Sequence, residues 1–290
     1  MVQEITIAHS PDSDDAFMFY GLATNKVRVP GLKFTHTLCD IETLNRLAME
    51  GSGRYDVTAI SFHAYPYVQH NYALLPSGGS VGDGYGPMIV SSSALTPEEV
   101  RNVRIAVPGT LTTAYLALKL FAPEVETTVV PFDQIIPEVL EGKHKAGLII
   151  HEGQLTYAKS GLFRIVDLGK WWRDTQGLPL PLGGNVIRRS LGPELMTQVA
   201  AAIRASIQHA LDHREQALEY AMQFARDLDT HLADQFVGMY VNERTLDYGE
   251  DGREAVSRLL QMGHSAGIIP HAAQLDWVDD GALVKSTARE

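Results

Sequence analysis

The chain has 290 residues and a formal net charge of −11. That length suits one large domain or two ordinary ones, and the acidic balance excludes the basic face that a nucleic-acid partner needs. A lone cysteine, Cys39, cannot close an internal disulfide, which suits a reducing compartment.

The N-terminus, Met1 to Ala8, runs straight into a strand. It lacks the basic segment and the apolar stretch of about 7–15 residues that mark a secretory signal. No run of about 18 apolar residues occurs, so no membrane partner is expected and the location is expected to be cytoplasmic. Apolar runs bounded by turn residues predict strands at Glu4–Ala8, Leu32–Thr37, Asp56–Ile60, Gly86–Ser91, Val103–Val107, Thr127–Val130, Ala146–Ile150 and Phe163–Asp167. They alternate with helices, the pattern of an α/β fold with a largely parallel sheet. The last third is helical. Leu195, Val199, Ile203, Ile207 and Leu211 recur every four residues, and further helices are expected at Glu215–Arg226, Leu232–Val241 and Arg253–Gly263.

Two internal echoes sharpen this pattern. The stretch from Ile5 to Phe17 aligns without a gap on Val103 to Tyr115, placing Asp15 on Thr113 and Ala16 on Ala114. Leu47–Ser61 likewise echoes Val139–His151, so Ser61 falls close to the place of His151. Two copies of strand–helix–strand–helix–strand predict two similar lobes that bring equivalent strand ends to one cleft, the plan of a solute-binding protein. Crossings are expected near Ser91–Pro97 and Pro179–Arg188. They give a larger lobe of residues 1–95 plus 188–290 and a smaller one of residues 96–187.

Ligands of open α/β sheets bind beyond the carboxyl ends of the strands. Four such ends run into polar helix starts: His9 to Asp15, Ser61 to His63, Gly109 to Ala114, and His151 to Gly153. Ser, Thr and Asp there are ordinary caps, and helix N-termini also attract anions. The segment Thr112–Ala114 carries no acid, so its amides remain open to a carboxylate, which the net charge would otherwise repel. Asp12, Asp14 and Asp15 beside His9 suggest a metal, but they lack the Gly and Glu of an EF-hand loop and the His/Cys spacing of a zinc site. Capping is the expected role, with Asp15 turned to the cleft and no metal bound; whether Asp12 and Asp14 touch a substrate stays open. His151 is either a general acid or base or a hydrogen-bonded structural histidine; its ordinary pKa suits proton transfer. His63 stays open between a ligand contact and a structural residue. The remaining histidines outside the His9 turn (His36, His70, His144, His209, His213, His231, His264 and His271) are expected to be solvated. Gly82 to Gly86 precedes a strand, not a helix, so it is no dinucleotide fingerprint.

The block Ile149 to Leu162, followed by Val166 to Trp172 and Thr175 to Gly183, closely resembles the 1,4-dihydroxy-6-naphthoate synthase family of the futalosine route to menaquinone. Asp40 to Asn45, Ser77 to Gly79, Ala106 to Gly109, Thr112 to Tyr115 and Tyr240 to Asn242 extend the resemblance over nearly the whole chain. It implies a two-lobed periplasmic-binding-protein-like (type II) fold, no cofactor, and a carbon–carbon lyase that converts cyclic dehypoxanthinyl futalosine to 1,4-dihydroxy-6-naphthoate with release of dihydroxyacetone. The implied partner is therefore a small molecule carrying a carboxylate. The resemblance makes His151 the proton acceptor, and it puts Ala59, Ile60, Ser61, Thr113, Ala114, Asn45 and Asp15 at the substrate. Where the family has Ser-Pro-Cys-Pro-Asn-Asp, this chain has Ser10 to Asp15 with two acids and a serine in place of the Cys-Pro-Asn; Gly184-Asn185 is a second departure. The competing readings are chorismate dehydratase, which shares fold and pathway, and a non-catalytic small-molecule binding protein.

Overall fold

The computed structural model describes residues 2–225 and 228–281. Its strands, in chain order, are β1 (Gln3–His9), β2 (Leu32–Leu38), β3 (Val57–Ser61), β4 (Tyr72–Leu74), β5 (Ser80–Gly82), β6 (Met88–Ser91), β7 (Ile105–Val107), β8 (Thr127–Val129), β9 (Ala146–Ile149), β10 (Phe163–Asp167) and β11 (Leu180–Arg188). They form two sheets. One has the order β2-β1-β3-β11-β4, with β5 also on β11; the other, taken from its far edge, runs β8-β7-β9-β6-β10.

The two sheets repeat one plan. A central strand, β1 or β7, lies parallel to both neighbours, and the strand after β3 or β9 runs antiparallel to it. The echo in the sequence therefore has a counterpart in the topology. The helices that follow the central strands, Ser13–Ala23 and Thr113–Phe121, begin after the caps Asp12 and Thr112. Structural equivalence thus falls two residues away from the alignment that pairs Asp15 with Thr113.

Strand pairing departs from the expected boundaries. Strand β6 pairs with β9 and β10, so the second sheet has already begun at Met88, and β11 has rejoined the first sheet by Leu180. The sheets are mixed, not largely parallel, because the chain traverses β6 and β11 as it passes between lobes and lays them antiparallel to β9 and β3. In β11 the residues Pro181, Gly183 and Gly184 disguise a strand, and the pairing with β5 shifts register between Pro181 and Gly183. Proline lacks the N–H that a ladder needs and is tolerated at such irregularities. The expected helix Glu215–Arg226 is Arg214–Ala221, and Arg226 lies outside the described residues, as does the expected continuation of the larger lobe over 282–290.

Packing explains the lobes. The stripe seen in the sequence becomes the helix Pro193–Asp212, which buries Val199, Ile203 and Ile207 against the helix Ser13–Ala23. A Cβ at Gly21 would lie 3.1 Å from the Ser206 backbone, so glycine is what lets the two helices approach. Ser206 Oγ then donates to the Met18 carbonyl at 3.0 Å and accepts from Leu22 N at 3.2 Å. A second apolar cluster joins the lobes: Ile60, Phe62 and Tyr248 meet Leu116 and Leu118 of the helix Thr113–Phe121, together with Ile89 and Trp172. No helix of the described residues is long and apolar enough to cross a membrane.

Candidate active site

A cavity of about 780 Å³, including its open mouth, lies between the sheets where the central strands end. Ser10 and the helix start at Asp12–Asp15 form one wall, the end of β3 (Ala59, Ile60, Ser61) another, and Thr112–Ala114 with Ile150 and His151 close it from the second lobe. Gly183, Gly184 and Asn185 of β11 supply the floor. The titratable side chains that line it are Asp12, Asp14, Asp15, His151 and Tyr240. An anion in this cavity therefore meets amides, hydroxyls and the His151 ring, not a lysine or arginine.

Each wall is held by bonds that the sequence makes locally. Asn45, fully buried in the helix Ile41–Ala48, donates from Nδ2 to Ser61 Oγ at 3.0 Å and accepts from Ser61 N at 2.8 Å. Asn45 does not line the cavity; it fixes the serine that does. Nδ2 of the same residue reaches the Leu111 carbonyl at 3.3 Å, which ties the first lobe to the loop before Thr112. Thr112 caps its helix by accepting from Tyr115 N at 3.1 Å. The first amides of a helix have no intrahelical acceptor, and those of Thr113 and Ala114 are the ones at this wall.

His151 stands where β9 stops and the chain turns, with φ at 63°, a left-handed conformation that a side chain rarely adopts. Its Nδ1 lies 2.8 Å from Asp12 Oδ2 of the opposite lobe. The ring also meets Phe132 edge-on at 4.6 Å between centroids, and Nε2 is shielded from solvent without a hydrogen bond. Burial acts to lower the imidazole pKa, but Asp12, then Glu152 and Asp14, outweigh it and push it up to about 9. The acids respond in kind. Burial and the neighbouring carboxylates hold Asp14 well above the usual range, and burial raises Asp15 to about 7 although Ser10 N donates to it at 2.7 Å. Asp12 occupies the N-cap position, yet its side chain makes no cap bond, so the expected capping role fails there. Its carboxylate accepts instead from Ser10 Oγ and meets His151.

Of the residues expected at the site, Asp15, Ala59, Ile60, Ser61, Thr113, Ala114 and His151 line the cavity, and Asn45 stands directly behind it. His63 does not line it. Its Nδ1–H donates to the Thr112 carbonyl at 3.2 Å, its ring stacks on Tyr115, and burial lowers its pKa to about 4, so it braces the Thr112 cap as a neutral ring. His36 is not freely solvated either: it packs against His9 with Nδ1 at 3.2 Å from His9 Nε2. Sequence reasoning missed the floor at Gly183–Asn185 and the pair in which Tyr240 OH donates to Gln154 Oε1 at 2.8 Å. The Pro-Leu-Gly block and Tyr240 carried the only signal. Among the described residues no group of three or more His, Cys, Asp or Glu side chains has the geometry to hold a metal ion.

Known proteins bear on this site. A family model described as menaquinone biosynthesis matches residues 5–265. A Streptomyces coelicolor protein named "1,4-dihydroxy-6-naphtoate synthase" is 41% identical over 273 residues, 92% of this chain and 95% of its own. The crystal structure of an Archaeoglobus fulgidus protein superposes with a TM-score of 0.88 at 46% identity and covers 92% of this chain and 98% of that one. A Candida albicans protein with the generic periplasmic binding protein fold gives a TM-score of 0.69 at 12% identity, over 94% of this chain and 92% of its own, and shows the fold alone. The two-lobed binding-protein-like fold expected from the sequence is thus the fold of this chain, and the chain belongs to the menaquinone biosynthesis family.

Proposed function

We propose that this protein is a carbon–carbon lyase that converts cyclic dehypoxanthinyl futalosine to 1,4-dihydroxy-6-naphthoate and releases dihydroxyacetone. The observation that carries the reading is a buried histidine, His151, on the wall of an interlobe cavity, with one ring nitrogen held and the other without a partner. A base of raised pKa has the proton affinity to take a hydroxyl proton, at the cost of being neutral in only about one molecule in a hundred at pH 7. His151 accepts that proton, the carbon–carbon bond breaks, and formation of the aromatic product supplies the driving force. Ser61 and the amides of Thr113 and Ala114 hold the carboxylate and hydroxyl groups, acting by orientation and by dipoles already in place. Asp15, half-buried at the wall formed by its helix start and with its pKa raised to about 7, offers a hydroxyl donor to the polar end of the substrate in the molecules where it is protonated.

The cavity's chemistry fits such a molecule. Its apolar wall at Ile60, Leu182 and Phe236 suits an aromatic ring, and its polar ends suit a carboxylate and a ribose-derived chain. Chorismate dehydratase and a passive binding protein have no observation of their own in their favour. Incubation with cyclic dehypoxanthinyl futalosine, followed by chromatography and mass spectrometry, tests the reading. Dihydroxynaphthoate and dihydroxyacetone in equal amounts are expected; recovery of unchanged substrate would rule the reading out.

A further inference from the structure

We propose that Asp12 is the positioning residue of the base: carried by one lobe, it holds Nδ1–H of His151 on the other and leaves Nε2 as the proton-accepting nitrogen. The inference rests on His151 being the base, and it adds the group that decides which of its nitrogens works.

Several independent features converge on Asp12. Its Oδ2 lies 2.8 Å from His151 Nδ1, and the side chains are only 3% and 14% exposed, so water does not compete for the contact. Asp12 has the extended backbone of an N-cap, with φ −103° and ψ 159°, and aspartate is among the favoured caps. Its carboxylate nevertheless gives no cap bond. Ser10 Oγ donates to the same Oδ2 that faces His151, which fixes the carboxylate toward the ring. His151 for its part holds a left-handed backbone that disfavours a side chain, and such strain persists only where the surroundings over-determine it. The ring is thus clamped from both ends: by its turn, and by a carboxylate across the cleft.

The consequence for the imidazole is specific. In a neutral histidine the hydrogen bond at one nitrogen decides where the single proton sits. A carboxylate only accepts, so the proton goes to Nδ1 and the lone pair to Nε2, the nitrogen that has no partner in the cavity wall. When Nε2 takes the hydroxyl proton, the ring becomes an imidazolium that still donates from Nδ1 to the Asp12 carboxylate. No bond to Asp12 forms or breaks. The other titratable groups facing the ring are Asp14 and Asp15 from the Asp12 lobe, both with raised pKa, and Glu152 on its own turn, while Phe132 brings no charge. These carboxylates also favour the imidazolium, but only Asp12 bonds to Nδ1.

Nitrogen-15 NMR of histidine-labelled protein tests the pairing without relying on turnover. In the wild type, neutral His151 at alkaline pH is expected to carry its proton on Nδ1. The Asp12→Asn variant is expected to titrate at least about one pH unit lower. An Asn side chain can also donate and so support the wrong tautomer; kcat at its alkaline plateau should therefore fall at least about 100-fold, with KM within about threefold. The rising limb of kcat/KM should move down in pH with the NMR titration. A wild-type His151 protonated on Nε2 overturns the proposal. So does an Asp12→Asn variant whose limb stays in place, or whose plateau stays within about threefold of wild type. If that variant does not fold, the wild-type spectrum alone decides. A wild type that forms no product while showing the Nδ1–H tautomer sinks the lyase reading and leaves the pairing standing.

Discussion

Asn45 and Ser61 hold each other through two hydrogen bonds, 3.0 Å from Asn45 Nδ2 to Ser61 Oγ and 2.8 Å from Ser61 N to Asn45 Oδ1. The pair joins the side chain of a buried helix residue to the backbone amide and the hydroxyl of the last residue in β3, which fixes the direction of the Ser61 side chain. Replacing Asn45 by Ala leaves a buried amide unsatisfied and should cost about 1–3 kcal/mol in denaturant unfolding. KM should rise severalfold as Ser61 loses its direction. Unchanged stability together with an unchanged KM would show that Ser61 is not held this way.

Gly109 governs the opposite wall. A Cβ there would come within 2.3 Å of the Glu42 carboxylate, which accepts from Leu111 N at 3.0 Å and is itself held by Arg46. Gly109→Ala should displace Glu42, free the Leu111 amide and shift the loop that delivers Thr112, Thr113 and Ala114. The expected outcome is a KM raised about tenfold with a stability loss of about 1–2 kcal/mol. A variant with wild-type KM would mean that the loop does not depend on Glu42.

Stability should fall as the solution becomes alkaline. An unfolded chain releases the His151 proton near its ordinary pKa of 6.5, whereas the folded chain keeps it to about 9. Between those values the folded state binds more protons, so this contribution is full below pH 6.5 and is lost as pH rises through 9. Asp15 acts in the same direction at lower pH, because its carboxyl keeps its proton up to about 7 when folded and only to about 3.8 when unfolded. Below pH 6.5 the buried rings of His9, His36 and His63, whose pKa values burial lowers to about 3, 4 and 4, act the opposite way, so the net decline in urea unfolding is expected from pH 6.5 to pH 10. Asp15→Asn should gain stability over wild type between pH 4 and 7, and His151→Gln should flatten the part between 6.5 and 9. A decline that both variants retain in full would place the titrating groups elsewhere.

Much of this was legible in the chain. Apolar runs located β1, β3 and β9 because buried strands carry few competing signals, and the four-residue stripe from Leu195 to Leu211 located its helix. Strand β11 was not legible: Pro181, Gly183 and Gly184 argue against a strand, and only its pairing with β3, β4 and β5 makes it one. The lobe boundary was misplaced for a related reason, since nothing local says which sheet β6 will join. At the site, the strand end after Ile149 identified His151 from its sequence position, the internal echo and the acid-free helix start pointed to Ser61 and to Thr113 and Ala114, and the family resemblance put all of them at the substrate. The partner of His151 was hidden. Asp12 is a favoured cap at a helix start, and only the tertiary structure turns its carboxylate away from that helix and across 139 positions of chain to His151.

His151→Gln bears on all of this most directly. Wild-type and variant protein are assayed for dihydroxynaphthoate from cyclic dehypoxanthinyl futalosine, with substrate affinity measured separately by calorimetry. If His151 is the base, kcat falls at least about 100-fold while binding stays within about threefold, since Gln preserves much of the side chain's shape and polarity but cannot accept the proton. Turnover at the wild-type rate in the folded variant would contradict it.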